Sequence, residues 1–199
     1  GVLFLDELPE FDRKVLEVLR EPLESGVIVI SRAAGRLQFP ARFQLVAAMN
    51  PCPCGYLGDQ SGRCNCTPEM VLRYRTKLSG PLLARIDLHV SVAREPTSLR
   101  QVTGQGLSSE QAREQVMAAR RYQQQRQGCC NSQLDLDNLH RHCPLGDADR
   151  LWLEQACERL QLSLRASHRI LKVARTLADM EGITDIRRNH LAEALQYRT

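Results

Sequence analysis

The rhythm of apolar and polar residues changes between residues 95 and 107. Before it, short continuous apolar runs alternate with polar stretches. Beyond it, apolar residues recur every three or four positions, as on amphipathic helices. The first run, Val2-Leu3-Phe4-Leu5, ends in Asp6 and Glu7. It predicts a strand buried on both faces, with an acidic pair exposed at its carboxyl end. Val15, Leu16, Leu19 and Leu23 then fall at helical spacing. Residues 12–25 therefore predict a helix capped by Asp12, loosened at Pro22 and ended by Gly26. Residues 27–30 and 37–39 predict a β-hairpin whose turn, residues 31–36, carries Arg32 and Arg36. Residues 43–49 predict a second buried strand, running into Asn50 and Pro51. Residues 69–78 predict a helix with Thr67 as cap and Pro68 at its first position, and residues 86–90 a further strand.

The segments 95–98 and 104–106 have the composition of a linker. After them the pattern predicts helices over 108–127, 134–142, 147–160, 164–181 and 187–197. Gly128 closes the first, Ser163 caps the fourth and Asp185 is placed to cap the last. Arg113, Arg120, Arg121 and Arg126 share a face of the first that is solvated or faces DNA, the solvated reading being preferred. The predicted organisation is an α/β part over 1–95, a linker over 96–107 and an all-α part over 108–199.

Length and charge add limits. The 199 residues leave room for one large domain or two small ones. A net charge of +4 does not by itself indicate a nucleic-acid partner. No apolar run is long enough for a membrane span and no signal peptide is visible. The absence of a disulfide-type cysteine spacing points to a reducing, cytoplasmic setting.

Candidate chemistry clusters in the first part. Acids at the carboxyl end of a buried strand suit nucleotide hydrolysis: one can hold hydrated magnesium, the other can polarise a water. An amide at the end of a neighbouring strand, Asn50, can orient that water or favour a turn. Arg32 and Arg36 at a hairpin tip can touch nucleic-acid phosphates or remain solvated turn charges. Cys52 and Cys54, then Cys64 and Cys66, form two close pairs on one loop. Four thiolates there can hold a structural zinc ion; the other reading is four reduced or partly oxidised cysteines. His140, His142 and Cys143 form a weaker metal-type cluster. No Gly-x-x-x-x-Gly-Lys-Ser/Thr phosphate loop occurs in the sequence. The expectation is thus a piece of a longer protein, with the phosphate loop upstream, an opening strand short of one neighbour, and no turnover by the piece alone.

Residues 1–11 resemble a Walker B motif. The stretches Ala47-Ala48-Met49-Asn50-Pro51-Cys52-Pro53-Cys54-Gly55 and Ser79-Gly80-Pro81-Leu82-Leu83-Ala84-Arg85-Ile86-Asp87-Leu88 resemble the ComM/YifB group of magnesium-chelatase-like AAA+ ATPases. The resemblance covers the whole chain. It implies the C-terminal half of an AAA+ P-loop core, a partial parallel sheet with helices and a β-hairpin, followed by an all-α lid. It also implies ATP and Mg2+ as cofactors, a homo-oligomeric, hexameric ring, and single-stranded or branched DNA as partner. By resemblance Asp6 holds Mg2+, Glu7 activates water, Asn50 is the first sensor, Arg85 is the arginine finger and Arg165 the second sensor, with Arg169 as fallback. Ala84 stands where the family often has an acid. Two other readings remain: a magnesium chelatase ATPase subunit for porphyrin metal insertion, and a non-catalytic assembly module.

Overall fold

The computed structural model describes residues 1–32, 35–59, 62–92 and 106–198. These fall into two units, residues 1–86 with residue 92, and residues 87–91 with residues 106–198. In the first, β1 (Val2–Leu5) leads through a 3-10 turn (Leu8–Glu10) to α1 (Arg13–Val18) and α2 (Arg20–Ser25). Then come β2 (Val27–Arg32), β3 (Gly35–Pro40), β4 (Gln44–Ala47), α3 (Pro68–Arg75) and α4 (Gly80–Leu83). β1 and β4 pair in parallel with Leu5 opposite Ala47. β2 and β3 form a separate antiparallel hairpin.

Buried leucines bind this unit together. Leu8, Leu16, Leu78 and Leu82 form its core, with Leu5, Leu19, Leu23 and Leu83 packed against them. The expectation of strands buried on both faces is corrected: Val2 is 67% and Phe4 60% exposed, and Val46 and Met49 are exposed too. The leucine core covers the Leu3 and Leu5 side of β1, and no described element covers the other. The helix expected over 12–25 is two helices broken at Leu19. Pro22 has no N–H to give the Val18 carbonyl, and its ring crowds that oxygen. Asp12 caps α1, its carboxylate accepting the Lys14 N–H at 2.7 Å. Val15, expected on the buried face, is exposed.

Gly26 ends α2 at φ +70, where a Cβ would lie 2.9 Å from Arg42 Cγ. The positive φ and this contact both favour glycine. The hairpin ladder reaches Arg32 and Gly35, so the turn is tighter than expected; its tip, residues 33–34, lies outside the described residues. The strand expected over 86–90 is not one. Within the second unit His89 instead donates its N–H to the Tyr197 carbonyl at 2.8 Å, and Asp87 accepts from Arg169 at 2.6 Å. The expected linker lies, up to residue 105, outside the described residues.

The second unit contains α5 (Ser109–Gln127), a 3-10 turn (Asn131–Gln133), α6 (Leu136–His142), α7 (Asp147–Arg159), α8 (Leu164–Met180) and α9 (Arg188–Gln196). Ser108 and Gln111 form a capping box on α5, and Ser163 caps α8 through the Ala166 N–H. Asp185 does not cap α9; Arg187 occupies that position and donates its N–H to His190 Nδ1 at 3.0 Å. α8 is the hub. Its Ile170, Leu171 and Ala174 pack with Leu139, Leu153, Leu191 and Ala194, and Trp152 lies half-buried against them.

A polar network joins α5 to α8. Asp179, 3% exposed, accepts from Arg175 Nε at 3.1 Å, from Arg126, and from Asn131 Nδ2 at 2.8 Å. Arg126 is therefore not on the solvated face of α5. Arg175 also donates to the Ile183 carbonyl at 2.6 Å and to the Thr184 carbonyl. No described helix is long and apolar enough to cross a membrane. Asp179→Ala leaves Arg175 buried beside no carboxylate, and uncompensated buried charges cost about 3–5 kcal/mol. Urea unfolding is expected to show a loss of that size for Asp179→Ala; an unshifted midpoint would assign the network no role in stability.

Candidate functional site

The parallel ladder positions the acids and the amide. Ala48 donates its N–H to the Leu5 carbonyl and Leu8 to the Ala48 carbonyl, each at 2.9 Å, so the pairing crosses Asp6 and Glu7. Both carboxylates are exposed. Asp6 Oδ1 accepts the Glu7 N–H at 2.8 Å. Asp6 Oδ2 has no partner among the described residues, and an exposed carboxylate oxygen suits a hard, hydrated cation. Glu7 sits in the left-handed region, at φ 50 and ψ 46. A non-glycine residue there costs about 1–3 kcal/mol, and such strain gathers at working sites.

Asn50 lies just past the end of β4, beside the acid-bearing end of β1. The ladder no longer holds it; it lies beside Gly55, and a main-chain hydrogen bond fixes it. Its side-chain Cγ and Oδ1 come within 3.8 Å of the position a Cβ would take on Gly55. Its backbone hydrogen-bonds the hydroxyl of Tyr74, a residue 6% exposed. Burial, then the charges of Glu10 and Glu7, push the Tyr74 phenol above its usual range. Tyr74 thus touches the main chain of Asn50 and feels the acids. Sequence reasoning missed it; the signal was the single aromatic of α3, buried while Met70 and Leu72 of the same helix are exposed.

The four cysteines of the following loop converge. Their sulfurs all lie within 4.8 Å of one another, and no other His/Cys/Asp/Glu group of this kind occurs among the described residues. His140 instead stacks edge-on against His168 at 6.1 Å. Cys52 Sγ is 3.4 Å from Cys54 Sγ and 3.9 Å from Cys64 Sγ, and Cys54 Sγ is 3.6 Å from Cys64 Sγ. Cys54 falls to about 6, chiefly because a backbone hydrogen bond from Tyr56 favours its thiolate. Cys66 rises to about 12: a backbone hydrogen bond from Cys54 favours its thiolate, but the Cys54 sulfur, burial and the Cys52 charge outweigh it. Packed thiols resist collecting several negative charges, and a divalent cation removes that resistance.

Arg85 follows α4, whose cap Ser79 accepts the Leu82 N–H at 3.3 Å. Its guanidinium donates to the Pro81 carbonyl at 2.8 Å and to Glu24 on α2. Asp87 pairs with Arg169 of its own unit. That contact occupies the fallback residue for the second sensor. Arg165 lies exposed in the first turn of α8. Arg32 and Arg36 are exposed and one ladder step apart, opposite Gly35 and Ser31 respectively, so they point to opposite hairpin faces. Ile28, Ile30, Leu37 and Phe39 share the Arg32 face and are exposed.

Parallel strands ending in an acid pair and an amide, followed by a helical unit, are compatible with the C-terminal part of an AAA+ ATPase. Residues 1–100 match the family described as magnesium chelatase, subunit ChlI, and residues 106–198 match its C-terminal counterpart. The chain belongs to this magnesium chelatase family. It is 53% identical over its whole length to "Competence protein ComM" of Haemophilus influenzae and 49% identical to YifB of Escherichia coli. It spans 39% of the length of each. It is 24% identical, over 94% of its length and 48% of the relative's, to "Magnesium-chelatase subunit ChlI" of Cyanophora paradoxa.

Glycine adopts the Glu7 conformation without strain. Glu7→Gly is expected to raise thermal stability by about 1 kcal/mol even though it deletes a carboxylate. A lower melting temperature for that variant would remove the assignment of strain to Glu7.

Proposed function

We propose that the chain is the part of a ring-forming ATPase that carries the hydrolytic acids, the first sensor and the lid. The whole protein would convert ATP hydrolysis into movement on single-stranded or branched DNA in the cytoplasm, as in branch migration or helicase action during transformation and recombination. One observation carries this reading: the β1–β4 register sets Asp6 and Glu7 beside Asn50 at adjacent parallel strand ends, where open sheets take their ligands. The competence name of the Haemophilus influenzae relative accords with work on transforming DNA.

The residue roles follow from chemistry. Asp6 keeps an oxygen free for a cation's water shell. Glu7, exposed and held apart by its left-handed backbone, accepts a proton from an attacking water. Asn50 orients that water with its amide. Arg85 exchanges Glu24 for phosphate oxygens on a neighbouring subunit, where its planar fork neutralises developing charge. Arg165 couples the lid to the nucleotide. Arg32, at the end of an exposed apolar hairpin face, and Arg36 on the other face contact the DNA backbone. ATP with Mg2+, when bound, supplies the phosphoryl group and neutralises its charge; the exposed oxygens of the acid pair fit such a cation.

The full-length protein provides the test. Glu7→Gln is expected to retain ATP binding and lose about two to three orders of magnitude in kcat. Mixing Glu7→Gln subunits with Arg85→Ala subunits should restore part of the rate, because the acids of an Arg85→Ala subunit then meet the intact finger of a Glu7→Gln neighbour. Undiminished hydrolysis by Glu7→Gln rejects Glu7 as the base, and no recovery on mixing rejects a finger acting across subunits. A second reading, a magnesium chelatase ATPase subunit, is favoured by the family description and the Cyanophora paradoxa relative. Hydrolysis stimulated by forked DNA, without support of metal insertion into porphyrin, decides against it.

A further inference from the structure

We propose that Cys52, Cys54, Cys64 and Cys66 bind one structural zinc ion, and that this metal positions Asn50 for hydrolysis. The second half rests on the ATPase reading above; the first does not.

Sulfur spacing supports the site. Four thiolates around zinc at about 2.3 Å stand about 3.8 Å apart in a tetrahedron. The observed separations of 3.4, 3.6 and 3.9 Å straddle that value. A disulfide would need about 2.0 Å. All four cysteines are free, although chain neighbours only two apart readily diverge.

The backbone around the sulfurs is a second, independent feature. Leu57 hydrogen-bonds Cys52 through its main chain, Tyr56 bonds Cys54, Cys66 bonds Cys64 and Cys54 bonds Cys66. Each sulfur therefore receives a main-chain N–H. These dipoles offset the net negative charge that four thiolates keep around one divalent ion. Gly55 turns the chain between the two knuckles at φ +79, and the Gly55 N–H closes onto the Cys52 carbonyl at 3.0 Å. Soft sulfur donors select zinc over magnesium, and four of them leave no open position, so the ion is structural. On binding, the thiols release their protons to solvent and no electron is transferred.

The knot begins two residues after Asn50. Cys52 is 0% exposed, and its charge reaches the phenol of Tyr74, whose hydroxyl is tied to the Asn50 backbone. Gly55, inside the knot, lies beside the Asn50 side chain, so the path of the loop there limits where the amide can point. Without metal, the loop loses its cross-link, and Asn50 keeps only the Tyr74 contact to its main chain.

The experiment uses purified full-length protein. Elemental analysis is expected to find one zinc per chain, lost in the Cys64→Ser, Cys66→Ser double variant. Cobalt substitution should give the intense red-region bands of a tetrahedral thiolate site. Absence of metal, or iron in its place, overturns the site whatever the protein hydrolyses. Zinc removed by chelation should lower kcat about tenfold, with KM unchanged and the rate restored by added zinc. Removing zinc from Asn50→Ala should cause no further loss. A rate insensitive to zinc, or equal losses with and without Asn50, overturns the positioning role while leaving the metal site standing.

Discussion

Parallel pairing of β1 with β4 is the constraint on which the first unit depends. Two parallel strands cannot be joined by a tight turn, so the chain must cross over and return. Residues 6–43 do so through a 3-10 turn, two short helices and a hairpin. The same ladder forces both strands to end on one side. Its in-register pairs stop at Leu5 and Ala47, and two further hydrogen bonds reach to Ala48 and Leu8. Whatever follows Leu5 and Ala47 is thus brought together. The acid pair and the amide owe their proximity to this backbone geometry rather than to any contact between their side chains.

A different physics holds the helical unit. Its apolar residues gather around α8, yet α5 has only Ala119 buried among its apolar positions. What fastens α5 is polar: Arg126 and Gln123 reach the 3-10 turn and α8 through Asn131 and Asp179. Buried ionic groups are costly unless their hydrogen-bonding capacity is filled. Here the Asp179 carboxylate has three donors and Arg175 adds two backbone carbonyls, so neither charge stands alone. Such a network fixes helix orientation more sharply than leucine packing does, because hydrogen bonds are directional.

The local features were legible in the sequence. Caps at Asp12, Thr67, Ser108 and Ser163 lie where the pattern puts them, because a cap needs only its own turn of backbone. The hairpin and the strand-end acids followed from apolar runs and β-branched residues. What escaped depended on partners far away in the chain. Arg126 reads as a surface arginine until Asp179, 53 residues later, is known to be buried beside it. Residues 86–90 have strand composition, but a strand needs an edge to pair with, and composition does not supply one. Val2 and Phe4 read as buried because apolarity records what a surface is suited to meet, and no described element meets that face.

Asn50 shows why a sensor needs more than a strand. The ladder ends at Ala48, so the next two residues receive no sheet hydrogen bonds. Met49 is exposed and contributes no anchor. An amide left there on free backbone would sample many orientations, and a water-orienting group must hold one within a fraction of an ångström. The chain answers by bending at once through Pro51 into a tight loop whose glycine lies beside the amide, and by bringing α3 across so that Tyr74 fixes its main chain. Tyr74 is itself held by burial, and its helix starts from Thr67, directly after the last cysteine. The cysteine loop therefore carries the backbone beside the Asn50 amide and launches the helix that holds its main chain.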